Sequence, residues 1–227
     1  MPSIKIAPSI LTADLARLAD EVRAVERAGA DYLHLDVMDG HFVPPITFGA
    51  LVVAAIHKIT RLPLDVHLMV EHPERHLEHF AEAGAHILNV HVEACDDLPA
   101  VLAQVRSLGC RAGVCVSPPT PLSAIEHALD QADQVMVMGV NPGWGGQSLI
   151  PETLPKLREL RALLERRGLQ PDVEIDGGVK LHNCLACVEA GANVLVTGSV
   201  VFNDEASVDE NMRALHAALA GVDVGSS

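Results

Sequence analysis

Residues 26–35 read E-R-A-G-A-D-Y-L-H-L, and this pattern occurs twice more along the chain. The other copies are A-E-A-G-A-H-I-L-N-V at 81–90 and V-E-A-G-A-N-V-L-V-T at 188–197. Each copy is typical of a helix end, a short turn and an apolar strand. Gly29, Gly84 and Gly191 stand where a helix C-terminus favours a residue that can adopt positive φ. A recurring helix–glycine–strand unit predicts a chain of alternating α and β elements.

Eight strand-like runs occur along the chain, with helix-like stretches such as 14–28 and 154–167 between them. The strands are predicted near 4–10, 32–38, 64–70, 86–92, 111–116, 134–140, 172–176 and 194–198. In the first helix, the apolar residues at helical spacing are Leu15, Leu18, Val22 and Val25. Eight such units in 227 residues predict a single (β/α)8 TIM barrel over residues 1–221, with 222–227 as a frayed tail.

A doubly wound open sheet is the alternative fold for the same alternation of elements. Open sheets of this kind usually contain fewer strands than the eight predicted here. They would also want a glycine-rich dinucleotide fingerprint, which this sequence lacks. The barrel is therefore the favoured architecture.

Composition excludes several classes of function. Hydrophobic residues make up 49% of the chain, which predicts a large core and excludes a disordered protein. The formal net charge is −14, and no run of Lys or Arg occurs, so binding to nucleic acid or to an anionic membrane is not expected. With so few cations, an anionic ligand would have to be held by backbone N–H groups.

The cysteines indicate a reducing compartment. Their number is five, which is odd, and the sequence shows no signal peptide and no apolar run of transmembrane length. Free thiols in a cytoplasmic protein are therefore expected. Cys184 and Cys187 form a C-x-x-C, but they lie in a helical stretch without a second pair, which favours helix packing over redox or zinc chemistry.

The stretch Y-L-H-L-D-V-M-D-G at 32–40 carries the first candidate site residues. Strand alternation places His34, Asp36 and Met38 on one face and aliphatic residues on the other. In a barrel, both faces of every strand are buried. His34 and Asp36 are therefore expected inside the barrel, near the C-terminal end of the strand, where barrel active sites are built.

Two further strands also carry polar residues on a face that is expected to be buried. L-D-V-H-L-M at 64–69 brings in His67, and V-E-I-D-G-G at 173–178 ends its strand on Asp176. A lone strand histidine is more often an ordinary core residue, and a lone aspartate at a strand end is often a cap. Four such groups on three strands are harder to explain singly, because each would need its own buried partner. Together they predict a divalent transition-metal site such as Zn²⁺, Mn²⁺ or Fe²⁺.

Other inward-facing residues have two interpretations each. Met38, Met69 and Met138 either line the site with polarizable, uncharged surface or fill the barrel. His91 and Glu93 either support the metal ligands or make ordinary hydrogen bonds. The sequence leaves both alternatives open.

Three glycine-rich loops follow the last three predicted strands. They are N-P-G-W-G-G-Q at 141–147, D-G-G-V at 176–179 and T-G-S-V at 197–200. Loops after the seventh and eighth strands are the usual phosphate site of such barrels, and glycine lets the backbone approach an anion closely. A phosphate monoester at one end and metal-binding oxygens at the other describe a sugar phosphate.

Two carboxylates at such a site indicate proton transfer next to a carbonyl. A metal would stabilise the enediolate that forms when the α-proton leaves. If Asp36 and Asp176 face opposite sides of the carbon, one can remove a proton and the other can return it. The expected product is the epimer.

Over nearly its whole length, the chain resembles the ribulose-phosphate 3-epimerase family. The segments that carry the resemblance are L-H-L-D-V-M-D-G-H-F-V-P, L-D-V-H-L-M-V, N-P-G-W-G-G-Q and E-I-D-G-G-V. The resemblance implies interconversion of D-ribulose 5-phosphate and D-xylulose 5-phosphate, in the pentose phosphate pathway or the Calvin cycle. It also implies a homo-oligomer, either a dimer or a hexamer.

The resemblance further implies residue roles. His34, Asp36, His67 and Asp176 would hold one divalent ion (Zn, Mn, Fe or Co) per subunit, and Asp36 and Asp176 would act as the acid/base pair. The residues implied to surround the substrate and its phosphate are Ser9, Gly143, Trp144, Gly145, Gly146, Gly177, Gly178, Gly198 and Ser199. The predicted substrate-binding set also includes His67 and the inward-facing Met38, Met69 and Met138. The positions that depart from the family pattern are Pro45, Gly139, Trp144 and Leu149, and none is an implied ligand or acid/base residue.

Three other functions are weighed against this one. A 3-epimerase of a six-carbon ketose phosphate, such as allulose 6-phosphate, would keep the same metal and carboxylates. A decarboxylase or aldol-type synthase resembles a pattern with Asp-x-Lys on a strand, whereas this chain has Asp36-Val37-Met38. A sugar-phosphate-binding barrel without catalysis would not need both Asp36 and Asp176.

Overall fold

The computed structural model describes residues 3–220, and they form eight parallel strands with helices between them. The tail expected at 222–227 lies outside these residues. The strands are β1 Lys5–Pro8, β2 Leu33–Met38, β3 Leu64–Met69, β4 Ile87–His91, β5 Arg111–Val116, β6 Gln134–Met138, β7 Asp172–Asp176 and β8 Val194–Thr197. The α-helices are α1 Leu18–Arg27, α2 Ala50–His57, α3 Leu77–Glu82, α4 Leu98–Ser107, α5 Thr153–Arg167, α6 Cys184–Glu189 and α7 Val208–Leu219.

The strands form one ring-like sheet. Each strand pairs in parallel with its neighbours in the order β1-β8-β7-β6-β5-β4-β3-β2. The first and last strands of this order meet through an isolated parallel bridge between Ser9 and His34. Near the other end of the seam, the Asp31 N–H donates to the Ile6 carbonyl at 2.9 Å. The single TIM barrel is confirmed, and the open sheet is not the fold.

All eight predicted strands are present, with ends that differ from the prediction by no more than two residues. Strand β2 is buried along its whole length, as a strand covered on both faces must be. Its aliphatic residues Leu33, Leu35 and Val37 join the main hydrophobic core, so His34 and Asp36 face the inside of the barrel. The predicted placement of these two polar residues is confirmed.

The helix predicted at 14–28 is shorter in the structure. The Asp14 carboxylate accepts the Ala16 N–H at 3.0 Å and caps a short 3-10 turn, and α1 begins only at Leu18. Leu15, predicted on the apolar face, is 59% exposed because it belongs to this turn. That assignment was wrong, whereas Val22 is buried as expected.

Other connections contain short 3-10 helices and packed cysteines. Two 3-10 helices, Leu122–Ala124 and Glu126–Gln131, take the place of an α-helix between β5 and β6. Cys184 and Cys187 are free and buried, which agrees with the packing interpretation. Within residues 3–220, no helix is both long enough and apolar enough to cross a membrane.

An ion-pair cluster covers the end of the barrel where the strands begin. The Asp172 carboxylate accepts from Lys5 Nζ and from Arg111 Nη2, each at 2.7 Å. Asn193 Nδ2 donates to the second Asp172 oxygen at 2.7 Å, and the Tyr32 hydroxyl accepts from both cations. This cluster lies at the end opposite the C-terminal strand ends, where barrel active sites are built.

Candidate active site

Four polar side chains from three strands meet inside the barrel near the C-terminal strand ends. Asp36 Oδ1 lies 3.4 Å from His34 Nε2 and 3.1 Å from His67 Nδ1. Asp176 Oδ2 lies 3.3 Å from His67 Nδ1 and 4.0 Å from His34 Nε2. The structure therefore brings together all four residues predicted from the sequence.

The geometry of this cluster fits a metal ion. The four ligand atoms lie within 4.8 Å of one another. Ligands at 2.0–2.1 Å around a tetrahedral ion are separated by about 3.3 Å, which is close to three of the four distances above. His34 Nε2 is buried and has no hydrogen-bond partner, so a ring nitrogen is available as a ligand. Two imidazoles and two carboxylates can thus hold a divalent transition metal.

The electrostatics of the cluster also favour a cation. Burial lowers the pKa of His34, but Asp36 and Asp65 raise it well above its usual value. Burial raises the pKa of Asp36, but His34 and His67 lower it far below its usual range. Buried carboxylates that stay ionised in this way require positive charge beside them.

A buried network below the cluster orients His34. Its Nδ1 donates to Asp65 Oδ2 at 2.6 Å, which leaves Nε2 facing the site. Asn89 and Gln134 each donate to the other Asp65 oxygen, at 2.7 and 3.0 Å. Burial and the nearby Asp65 raise the pKa of Glu174 well above its usual value, so this carboxyl favours its neutral form.

A second chain of contacts orients His67. Its Nε2 lies 2.9 Å from His91 Nε2, and His91 Nδ1 lies 3.1 Å from Glu93 Oε2. Glu93 also accepts hydrogen bonds from the Ser117 N–H and the Thr120 hydroxyl. Burial raises the pKa of Glu93, but these two bonds and the contact with His91 lower it to about 2. If Glu93 accepts from His91 Nδ1, then His91 Nε2 accepts from His67, and His67 Nδ1 is free to face the site.

A cavity opens above the cluster, and Asp36 and Asp176 line it. The loops that follow β6, β7 and β8 form its other walls. The predicted substrate-binding residues that line it are Ser9, Met69, Met138, Gly143, Trp144, Gly145, Gly146, Gly177, Gly178, Gly198 and Ser199. The Ser9 hydroxyl donates to Asp36 Oδ2 at 2.5 Å, so it also holds one carboxylate in place. His34 and His67 lie deeper and are fully buried.

Met38, like His67, is a predicted substrate-surrounding residue that the structure does not bring to the cavity wall. It packs with Met69 and Val43 in a small buried cluster. Val43 belongs to the loop after β2, and a Cβ added at Gly143 would lie 3.2 Å from it and 3.6 Å from Pro45 Cδ. The loop that covers Met38, including the atypical Pro45, therefore supports the loop after β6.

Gly139 and Leu149, which both depart from the family pattern, pack against each other. A Cβ at Gly139 would lie 2.2 Å from the Gly177 carbonyl oxygen and 2.8 Å from Leu149 Cδ1. A Cβ at Gly178 would lie 2.3 Å from the Leu149 backbone nitrogen. Glycine at 139 thus accommodates Leu149 where the loops after β6 and β7 pack together.

Several cavity residues were not anticipated from the sequence. Leu11 and Thr12 line the cavity from the 3-10 turn after β1, and Lys180 lines it just beyond the loop after β7. The Lys180 ammonium donates to the Ser199 hydroxyl. The sequence signal for Lys180 is its place directly after D-G-G-V, in a chain with few cations.

Comparisons with known proteins identify the family of this chain. A model of the ribulose-phosphate 3-epimerase family matches residues 5–202. Ribulose-phosphate 3-epimerase of Synechocystis sp. is 53% identical over 203 residues, 88% of each chain. The protein of the same name from Bacillus subtilis is 50% identical over 200 residues, 88% of this chain and 92% of that one.

A solved structure with much lower sequence identity has a similar fold. That of 3-hexulose-6-phosphate synthase has a TM-score of 0.69 at 17% identity, covering 95% of this chain and 99% of that one. At this identity, the likeness concerns the fold alone. The family match and the relatives decide the matter, and the chain belongs to the ribulose-phosphate 3-epimerase family.

Proposed function

We propose that this protein interconverts D-ribulose 5-phosphate and D-xylulose 5-phosphate, a reaction of the pentose phosphate pathway and the Calvin cycle. The observation that carries the proposal is the position of Asp36 and Asp176. Both carboxylates approach the same histidine, His67, at 3.1 and 3.3 Å, and both line a cavity walled by glycine-rich loops. An acid/base pair thus stands below a site suited to a phosphate.

We infer that the ion is held by His34 Nε2, Asp36 Oδ1, His67 Nδ1 and Asp176 Oδ2. The orphaned His34 nitrogen and the ligand separations support this assignment. When bound, a divalent cation supplies a Lewis acid beside the substrate carbonyl and stabilises the negative charge of the enediolate. Zn, Mn, Fe and Co all suit two nitrogen and two oxygen ligands.

The two carboxylates divide the proton transfers between them. Asp36 is carried by β2 and Asp176 by β7, and β1 and β8 separate these strands in the ring. Because the carboxylates enter from different sides, one can take the C3 proton from one face and the other can supply a proton to the opposite face. Ser9 holds Asp36 in its orientation through the 2.5 Å hydrogen bond. Inversion at C3 follows from this arrangement.

The substrate is tested by comparing turnover of ribulose 5-phosphate with turnover of allulose 6-phosphate. We expect a higher kcat/KM for the five-carbon substrate, in line with the names of the relatives. A strong preference for the six-carbon substrate would refute the proposed specificity. Binding of both without turnover would favour the non-catalytic barrel. The synthase alternative lacks support, since β2 has Met38 where the Asp-x-Lys pattern has lysine.

Metal dependence is tested by removing divalent ions with a chelator and verifying the apo-protein by elemental analysis. We expect turnover of ribulose 5-phosphate to stop, and to return when Zn²⁺, Mn²⁺, Fe²⁺ or Co²⁺ is added, since the buried ligand cluster is built for a cation. Full activity in verified apo-protein would remove the ion from the proposal.

We also infer a cytoplasmic homo-oligomer, either a dimer or a hexamer, from the family resemblance. The proposed partner is a small sugar phosphate, and the charge of −14 supports neither nucleic acid nor anionic membrane as a partner. Light scattering after size-exclusion chromatography gives the mass. A monomeric mass at micromolar concentration would refute the oligomer.

A further inference from the structure

Lys180 has an unusual place in this acidic protein. Among the described residues that line the cavity, it is the only Lys or Arg, and Asp36 and Asp176 line the same cavity. The whole chain has a formal net charge of −14. A phosphate dianion that enters the cavity therefore meets two carboxylates and one cation.

The backbone around Lys180 is held in place. Its N–H donates to Asn183 Oδ1 at 2.7 Å, and Asn183 Nδ2 donates to the Gly178 carbonyl at 2.9 Å. Lys180 thus extends from the end of the glycine loop after β7. Its ammonium reaches the loop after β8, where it donates to the Ser199 hydroxyl. The charge consequently stands between the two loops proposed to hold the phosphate.

We propose that the Lys180 ammonium binds the phosphate of the substrate directly. This inference rests on the proposed function and adds a charged side chain to a site otherwise built from backbone N–H groups. An ammonium has three donors, and the bond to Ser199 uses one of them. The half-buried side chain keeps two donors for phosphate oxygens, and hydrogen bonds between ions are stronger than neutral ones.

The position of Lys180 decides which kinetic constant it affects. The phosphate does not change during the reaction, so its contact is equally strong in the ground state and in the transition state. Loss of such uniform binding raises KM and leaves kcat nearly unchanged. If Lys180 only tied the two loops together, its effect would depend on the hydrogen bond to Ser199 and not on its charge.

Three substitutions separate these roles. Lys180→Met removes the charge and the donors, Lys180→Gln keeps a donor for Ser199 without the charge, and Lys180→Arg keeps the charge. Lys58→Met is the matched control, because Lys58 is exposed at the C-terminal end of α2. For each variant, KM and kcat on ribulose 5-phosphate are measured, together with the Kd of inorganic phosphate by calorimetry.

We expect Lys180→Met and Lys180→Gln to raise KM and the phosphate Kd by about 10- to 100-fold, with kcat changed less than about threefold. Lys180→Arg should stay near wild type, as should Lys58→Met. An unchanged phosphate Kd in Lys180→Met, or wild-type behaviour of Lys180→Gln, would overturn the assignment. If wild type fails to turn over ribulose 5-phosphate, the proposed function fails, and the phosphate Kd still tests Lys180.

Discussion

At the scale of single residues, the site depends on how each polar side chain is partnered. Asp36 accepts from Ser9 and lies beside both histidines, whereas Asp176 stands at the end of β7 against His67 and His34. The two carboxylates reach the same proposed ion site from different strands. This arrangement supports the proposal that each one has a separate part in proton transfer.

Replacing either carboxylate should nearly abolish epimerisation. Asp36→Asn and Asp176→Asn keep the size of the side chain and remove the proton-transfer group, so we expect kcat to fall by about 10²- to 10⁴-fold. Asp130→Asn, at an exposed position, serves as the control and should keep wild-type turnover. Circular dichroism checks the fold of each variant. Near-normal kcat in either folded site variant would contradict the two-acid scheme.

The strand pattern predicts which way a side chain faces, but not which loop residues contact it. Strand alternation predicted that His34 and Met38 face inward, because the period of two is a property of the backbone. Both side chains are buried. It could not show that Val43 would cover Met38, since that depends on the path of the following loop. Lys180 was missed for the same reason: its side chain reaches Ser199 only because the loops after β7 and β8 are neighbours.

At the scale of elements, β4 contacts the proposed ion site without supplying one of the four proposed ligands. Its inward face carries Asn89 and His91, which contact Asp65 and His67 respectively. The sequence left His91 and Glu93 between supporting the ligands and ordinary hydrogen bonding. The distance of 2.9 Å from His91 Nε2 to His67 Nε2 favours the supporting role.

Removing the charge of Glu93 should weaken ion binding. In Glu93→Gln, the acceptor for His91 Nδ1–H loses its charge, so the tautomer that frees His67 Nδ1 is less favoured. We expect a 10- to 100-fold loss of Zn²⁺ affinity, measured by competition with a chromophoric chelator. Glu78→Gln, on the exposed side of α3, is the control. Equal Zn²⁺ affinity in wild type and Glu93→Gln would leave His91 and Glu93 with ordinary hydrogen bonding only.

Elements differ in how well their sequences predict them. The buried strands were predicted well because apolar alternation and A-G-A turns mark them along the chain. The start of α1 was placed too early, since the spacing of Leu15 with Leu18 fits both an α-helix and a 3-10 turn followed by one. The Asp14 side chain decided between them by capping the turn.

At the scale of the whole molecule, the two ends of the barrel have different tasks. The C-terminal strand ends carry the proposed ion site and the glycine-rich loops proposed to hold the phosphate. The opposite end carries the cluster of Asp172 with Lys5 and Arg111, which ties together β7, β1 and β5. Stability can therefore be changed at one end without touching the residues at the other.

Asp172→Asn should destabilise the protein in a pH-dependent way. Burial raises the pKa of Asp172, but hydrogen bonds from Lys5, Arg111 and Asn193 lower it below its usual value. Because the pKa of Asp172 is lower in the folded state, its ionised form stabilises the fold at pH values above the usual pKa of about 3.9. This contribution to the free energy of unfolding disappears as the pH falls through the folded-state pKa. We expect a loss of about 1.5–3 kcal/mol in the free energy of unfolding at pH 7.

Urea unfolding of wild type and Asp172→Asn at pH 7 and at pH 3 measures this effect. The difference in unfolding free energy should shrink at the lower pH, while kcat at pH 7 stays near wild type. The exposed Asp130→Asn variant should show no such difference. A difference of the same size at both pH values would contradict the proposed electrostatic origin.

We propose above all that Asp36 and Asp176 exchange protons at C3 from opposite faces. Conversion of ribulose 5-phosphate in D₂O, followed by NMR, tests it most directly. Two carboxylates that exchange with solvent should give xylulose 5-phosphate with one deuterium at C3, while ribulose 5-phosphate recovered early in the reaction carries none. Absence of conversion, or product that keeps the original C3 hydrogen, would contradict the account.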